Sequence, residues 1–139
     1  MADLGGGLSL LIVDDDGRIL ELAEYVALAS GRFRAIRTAE NGEDALRKLA
    51  ADPVLPDVIL TDLSMPRMDG FMLVETLKHR PDTRHVPVVM FSSSGLLYDH
   101  EHALAVGCEA FFPKPATMAG LTEVLVNVAN IAQHVPTHR

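Results

Sequence analysis

The 139-residue chain predicts an open α/β fold, a parallel sheet with helices on both faces. Three observations carry that expectation. Short apolar runs alternate with segments of helical spacing from end to end, no repeat or low-complexity tract breaks the alternation, and the runs end in polar or turn-forming residues.

Each element can be justified in order. Ser9–Val13 is a buried-strand run that delivers three aspartates, and Ile19, Leu22, Ala23 and Val26 then share one helix face behind Asp16, which is read as a cap. Phe33–Thr38 forms a second strand, and Ala45, Leu46 and Leu49 mark a second helix. Val58–Asp62 is the third strand, broken by Pro66 and the Asp69-Gly70 pair before a helix with Met72, Leu73, Thr76 and Leu77 on one face. Val88–Ser92 follows, then a weaker helical pattern in Leu97, Ala103, Leu104 and Val106, whose first half is polar from Tyr98 to His102. Ala110–Phe112 is the last strand, and Leu121, Val124, Leu125, Val128 and Ala132 give the clearest helix, with Thr117 as its N-cap. Right-handed crossovers turn five such units into a flavodoxin-like doubly wound five-stranded parallel sheet of order 2-1-3-4-5 with five helices. Its switch point lies between strands 1 and 3.

Bulk properties narrow the function. A chain that is 48% hydrophobic and 22% charged is globular, and no apolar run reaches the roughly 18 residues of a membrane span, so no membrane insertion is expected. The opening MADLGGG lacks the pattern of a secretory signal, which makes cytoplasmic localisation the expectation. Residues 1–7 are read as a flexible leader, 8–132 as one domain and 133–139 as a tail. A formal charge of −7 argues against binding nucleic acid, because phosphate binding needs surplus Lys and Arg. Cys108 is the single cysteine, which excludes an internal disulfide and reads as a buried, inert thiol.

The chemistry gathers at one edge. Strand 1 ends in Asp14-Asp15-Asp16, strand 3 in Asp62, strand 4 in Ser92-Ser93-Ser94, and strand 5 runs into Lys114-Pro115. The carboxyl ends of parallel strands share one side of a sheet, so several carboxylates, a hydroxyl and an ammonium become neighbours. Clustered carboxylates raise one another's pKa or demand a cation, and a hard divalent ion such as Mg²⁺ resolves the repulsion. Lys114 and the Ser92 hydroxyl can each meet a phosphoryl oxygen. This inventory fits phosphoryl transfer to a carboxylate, with Asp62 as nucleophile.

From about Leu8 to about Ala129 the chain resembles the receiver domains of two-component response regulators. LLIVDDD is similar to their metal-binding pair, which implies Asp15 as a direct Mg²⁺ ligand and Asp14 as one acting largely through water. TDLSMPRMDG resembles the phospho-acceptor segment, which implies Asp62 as acceptor and the Ser64 backbone carbonyl as a further ligand. PVVMFSSS implies Ser92 as the switch hydroxyl, and FFPKP implies Lys114 as the positioned lysine, a cis bond before Pro115, and Phe111 as the switch aromatic. The chain departs from the common pattern in having Ser for Thr at 92, Phe for Tyr at 111, and Ala116 where a large apolar residue is usual.

The expectation is therefore a stand-alone receiver, not an enzyme beyond slow loss of its own phosphate. Its implied partners are a sensor histidine kinase or histidine phosphotransfer protein and a downstream target on the face of helix 4, strand 5 and helix 5. Two rival functions fit parts of the sequence. One is a receiver-like module that binds partners without phosphorylation. The other is a haloacid-dehalogenase-type phosphatase built on Asp14-Asp15-Asp16-Gly17, with Asp14 as nucleophile and Asp16 as acid/base, which leaves Asp62 and its MPRMDG tail unexplained.

Overall fold

The structure is a computed structural model that describes residues 7–134; residues 1–6 of the expected leader and 135–139 of the expected tail lie outside the described residues. The elements run β1 (Leu8–Val13), α1 (Gly17–Ser30), β2 (Phe33–Ala39), α2 (Gly42–Ala51), β3 (Val58–Asp62), α3 (Gly70–His79), β4 (Val88–Ser92), α4 (Leu97–Val106), β5 (Ala110–Pro113) and α5 (Met118–His134). All strand pairs are parallel and the sheet order is β2-β1-β3-β4-β5, as the pattern of the sequence predicts. No helix among the described residues is long and apolar enough to cross a membrane.

The two sheet faces close separate cores. Leu11, Val13, Ile59, Val88, Met90 and Phe111 pack under α2, α3 and α4, while Leu10, Ile12, Val58, Leu60, Val89 and Phe91 pack under α1 and α5. This alternation is the period-2 register of strands covered on both sides, which is why β3 and β4 read as unbroken apolar runs. Local chemistry sets the helix ends. Asp16, Asn41 and Asp69 each accept a hydrogen bond from a first-turn N–H of α1, α2 and α3, and Thr117 does the same from Gly120 N at the head of α5. Gly31 and Gly107 close α1 and α4 in the left-handed region, where a side chain would be strained.

Helix faces deviate from the expected ones in three places, and in α4 only Ala103 of the expected set is buried, with Leu97 and Leu104 exposed. In α3 the buried set is Gly70, Leu73, Val74 and Leu77, with Met72 exposed; in α1 it is Ala23, Val26 and Ala27, with Leu22 exposed. In α1 and α3 the stripe is rotated slightly, so that Ala27 and Val74 turn inward in place of Leu22 and Met72. The Lys114–Pro115 bond is trans, since no cis peptide occurs among the described residues. This corrects the cis bond implied by resemblance, and trans is the form an X–Pro bond favours by about 0.5–1 kcal/mol.

Cys108 sits in the first core, only 7% exposed, and burial pushes its thiol up to about 12. Only the thiolate attacks. At pH 8 the folded protein is expected to react with a disulfide reagent about 1,000-fold more slowly than the unfolded chain, judged from the thiolate fractions. Full colour development within mixing time in native buffer would contradict the buried placement.

Candidate functional site

Register places the site. Val13 is opposite Thr61, Asp62 opposite Phe91 and Ser92 opposite Pro113, so Asp14, Asp62, Ser92 and Lys114 end their strands within one residue of a common level. Backbone bonds fix the exits: Asp14 N donates to Ala39 O at 3.1 Å and Lys114 N to Ser92 O at 2.9 Å. Ligand-type oxygens of Asp14, Asp15 and Asp62 all lie within 4.8 Å of one another.

Asp14 and Asp62 are buried, at 0% and 3% exposure, whereas Asp15 faces solvent. Lys114 Nζ bridges the buried pair, 2.8 Å from Asp14 Oδ2 and 3.3 Å from Asp62 Oδ1, while standing 5.2 Å from the centre of the Phe91 ring. Asp14 Oδ1 accepts from Asp16 N at 2.9 Å, which folds the aspartate run into a tight loop. Asp14 Oδ2, by contrast, has only the Lys114 ammonium beside it, and that ammonium is shared with Asp62. Three carboxylates facing one shared ammonium leave excess negative charge, and that donor set fits a hard cation with oxygen ligands.

Electrostatics follow from this packing. Burial pushes the Asp62 carboxyl up from 3.8 to about 6, the Asp14 charge adds to the rise, and Lys114 and the Leu63 N–H oppose it. Burial works against the Lys114 ammonium, yet the Asp14 and Asp62 carboxylates hold its pKa above the ordinary value. Asp62 Oδ1 is engaged by Leu63 N at 2.9 Å and by Lys114. Its Oδ2 receives no hydrogen bond from the described residues.

The remaining sequence-derived residues fall around this centre. Ser92 is buried, and its Oγ accepts from Ser94 N at 3.0 Å; Ser93 is exposed and Ser94 half-buried. Ser64 is exposed and lines an open depression with Asp15, Leu63, Met65, Pro66, Asp69 and Phe71. Phe111 is 8% exposed, with the His100 ring 5.2 Å away at 49°. Asp16 stands outside the carboxylate group and caps α1. Sequence reasoning missed Gly70: its N–H donates to Leu63 O at 2.8 Å, and a Cβ there would lie 2.5 Å from Asp62 O. The Asp-Gly pair signals a turn, but only the fold shows that α3 begins against the end of β3.

A sheet of this order, with carboxylates and a lysine at its switch point, defines the class of open α/β proteins that carry their site on strand ends. The chain belongs to the response regulator receiver domain family of two-component signalling, whose model matches residues 10–126. PilG of Pseudomonas aeruginosa is 31% identical over 137 residues, covering 99% of this chain and 94% of PilG. Response regulator PleD of Caulobacter vibrioides is 39% identical over 106 residues, or 76% of this chain; that stretch spans only 22% of PleD's own length. The Mn(2+)-bound form of response regulator Rcp1 shares the fold with a TM-score of 0.80 at 20% identity, over 95% of this chain and 99% of that one.

Proposed function

We propose that Asp62 accepts a phosphoryl group from a phosphohistidine on a sensor kinase or histidine phosphotransfer protein, and that residues 8–132 then signal through the face of α4, β5 and α5 to a downstream protein. The reading is carried by the meeting of Asp62, Asp14, Asp15 and Lys114 at one strand edge. Asp62 Oδ2 attacks phosphorus in line with the P–N bond. An O–P bond forms, the P–N bond breaks, and the imidazole leaves with the electron pair and takes up a proton.

Mg²⁺ would be held by Asp15, Asp62 and the Ser64 carbonyl, with Asp14 acting through water, and would supply charge neutralisation on the transferring group. Lys114 carries out the same task from the protein side. Its ammonium, already shared between two carboxylates, turns toward a phosphoryl oxygen once Asp62 is esterified and its charge redistributed. The Ser92 hydroxyl donates to another phosphoryl oxygen, and Phe111 repacks in response. Water attack on the same phosphorus breaks the O–P bond and returns the carboxylate and inorganic phosphate, a slow self-limiting loss. This reading places the chain in the cytoplasm with its donor.

The phosphatase alternative has no support here: Asp16 is committed to its cap, and the family model that matches residues 10–126 is that of a receiver domain. Incubation with acetyl phosphate and Mg²⁺ is expected to attach one acid-stable, base-labile phosphate per chain. Peptide mapping should place it on Asp62, and Asp62→Asn should abolish it. Label retained in that variant, or mapped to Asp14, would overturn the assignment.

A further inference from the structure

We propose that the head of α2 sets the position of the Ser64 carbonyl: Gly42 and Glu43 hold the strained turn Pro66-Arg67-Met68, and so act as positioning residues for the cation at the acceptor site. The inference rests on the reading above in which that carbonyl is a metal ligand, and it adds two residues from a helix that carries no part of the acceptor chemistry.

The turn is a place of strain. Arg67 has φ 66°, the one non-glycine residue in the left-handed region among the described residues, and Met68 N donates to Pro66 O at 2.7 Å to close a three-residue turn around it. Such a conformation persists only where its surroundings over-determine it. The loop's own backbone gives little help. Among the described residues that bond is the only backbone hydrogen bond made by residues 64–68, while Gly70 N to Leu63 O closes the loop at its base.

The first turn of α2 supplies what the loop lacks, through two adjacent residues. Met68 lies so close over Gly42 that a Cβ there would stand 2.7 Å from Met68 Sδ, 2.8 Å from its Cγ and 3.1 Å from its Cβ; Gly42 is buried at the start of the helix. Glu43 Oε1, next in the chain, accepts from Arg67 Nε at 2.8 Å. The helix head is itself anchored, because Asn41 caps it and Ala39 O at the end of β2 accepts from Asp14 N at 3.1 Å. The turn is thereby held against the same strand exit that carries the buried aspartate.

The path from turn to carbonyl is short and stiff. Met65 is buried, and Pro66 fixes its own φ and restricts Met65 to extended backbone. The Ser64-Met65 peptide therefore moves with the turn. Ser64, Met65 and Pro66 line one depression together with Asp15, the exposed member of the carboxylate group. Since an exposed ion pair is a weak tie, a few-fold change in cation affinity, not loss of the fold, is the expected signature of Glu43.

The test titrates the full chain with Mg²⁺ alone, with no phosphodonor present, and reads Kd from the backbone amides of Leu63 and Met65 by NMR. Glu43→Ala is expected to raise Kd about two- to fivefold, the range an exposed ion pair can supply, and Gly42→Ala to raise it at least as much. Glu43→Gln keeps an acceptor for Arg67 Nε and should recover most of the loss. Arg67→Gly takes up the turn without strain, so it should bind Mg²⁺ as tightly as wild type and leave Glu43→Ala without effect. An unchanged Kd in Glu43→Ala or in Gly42→Ala overturns the positioning role. So does an equal loss from Glu43→Ala in the Arg67→Gly background, which would show Glu43 acting only as a nearby charge. If the wild-type Leu63 and Met65 amides do not respond to Mg²⁺, the reading of Ser64 as a ligand fails and this inference fails with it.

Discussion

Asp62→Asn is expected to make the metal-free protein more stable at pH 8, by up to about 3 kcal/mol. The wild-type carboxyl has its pKa at about 6 in the fold against 3.8 unfolded, because it is buried beside Asp14. At about 1.4 kcal/mol per pKa unit, ionising it in place therefore weighs against folding by up to about 3 kcal/mol. The native state binds the proton more tightly than the unfolded chain, so wild-type stability should fall as pH rises from about 4 to about 6 and then level off. Asn has no proton to lose, and the variant should lack that slope. It also loses one partner of Lys114, but Asp14 remains 2.8 Å from the ammonium.

Urea denaturation in chelator at pH 5 and pH 8 measures both effects. Added Mg²⁺ should narrow the gap, because a cation that binds only the folded wild type stabilises it by mass action. A variant less stable than wild type at pH 8 without metal would show that the Asp62 charge is compensated in the fold, contrary to the electrostatics described.

Gly70→Ala is expected to destabilise the protein by about 2–3 kcal/mol and to impair phosphorylation at Asp62. The added Cβ would lie 2.5 Å from Asp62 O and 3.0 Å from Leu63 Cα, with Met90 Cε at 2.9 Å. Two of these three neighbours are backbone of β3 and its exit, so relief requires moving the strand end or the head of α3. Gly17→Ala is the matched control. That residue also opens a helix, but nothing lies within 4 Å of its would-be Cβ, and alanine there should be neutral or stabilising by about 0.5–1 kcal/mol. Equal stability of the two variants would remove the close-approach argument.

The contrast between Gly17 and Gly70 also shows where sequence reading reaches its end. Both stand at the first position of a helix after an aspartate, and nothing local separates them. What differs is the neighbour that the crossover brings alongside. The strands were legible because burial on both faces leaves continuous apolar runs, and β3 and β4 begin and end at the residues the pattern predicts. Strand order followed from handedness, and order alone brought Asp14, Asp15, Asp62, Ser92 and Lys114 to one edge. Pairings set by side-chain geometry were not legible. Ser94 with Asp99 has no sequence signature, and the inward faces of α1 and α3 depend on how each helix settles on its sheet. In α4 the pattern was weak for a physical reason, since a helix with one buried residue needs no apolar stripe.

That single buried alanine bears on how such a protein can diversify. Surface substitutions away from caps and buried groups change stability by only about 0.5 kcal/mol, and most of α4 is surface of this kind. Leu97, Tyr98 and Leu104 can therefore be exchanged while the sheet and its aspartates stay as they are. The surface of α4 is thus a stretch of sequence whose rewriting the fold hardly registers.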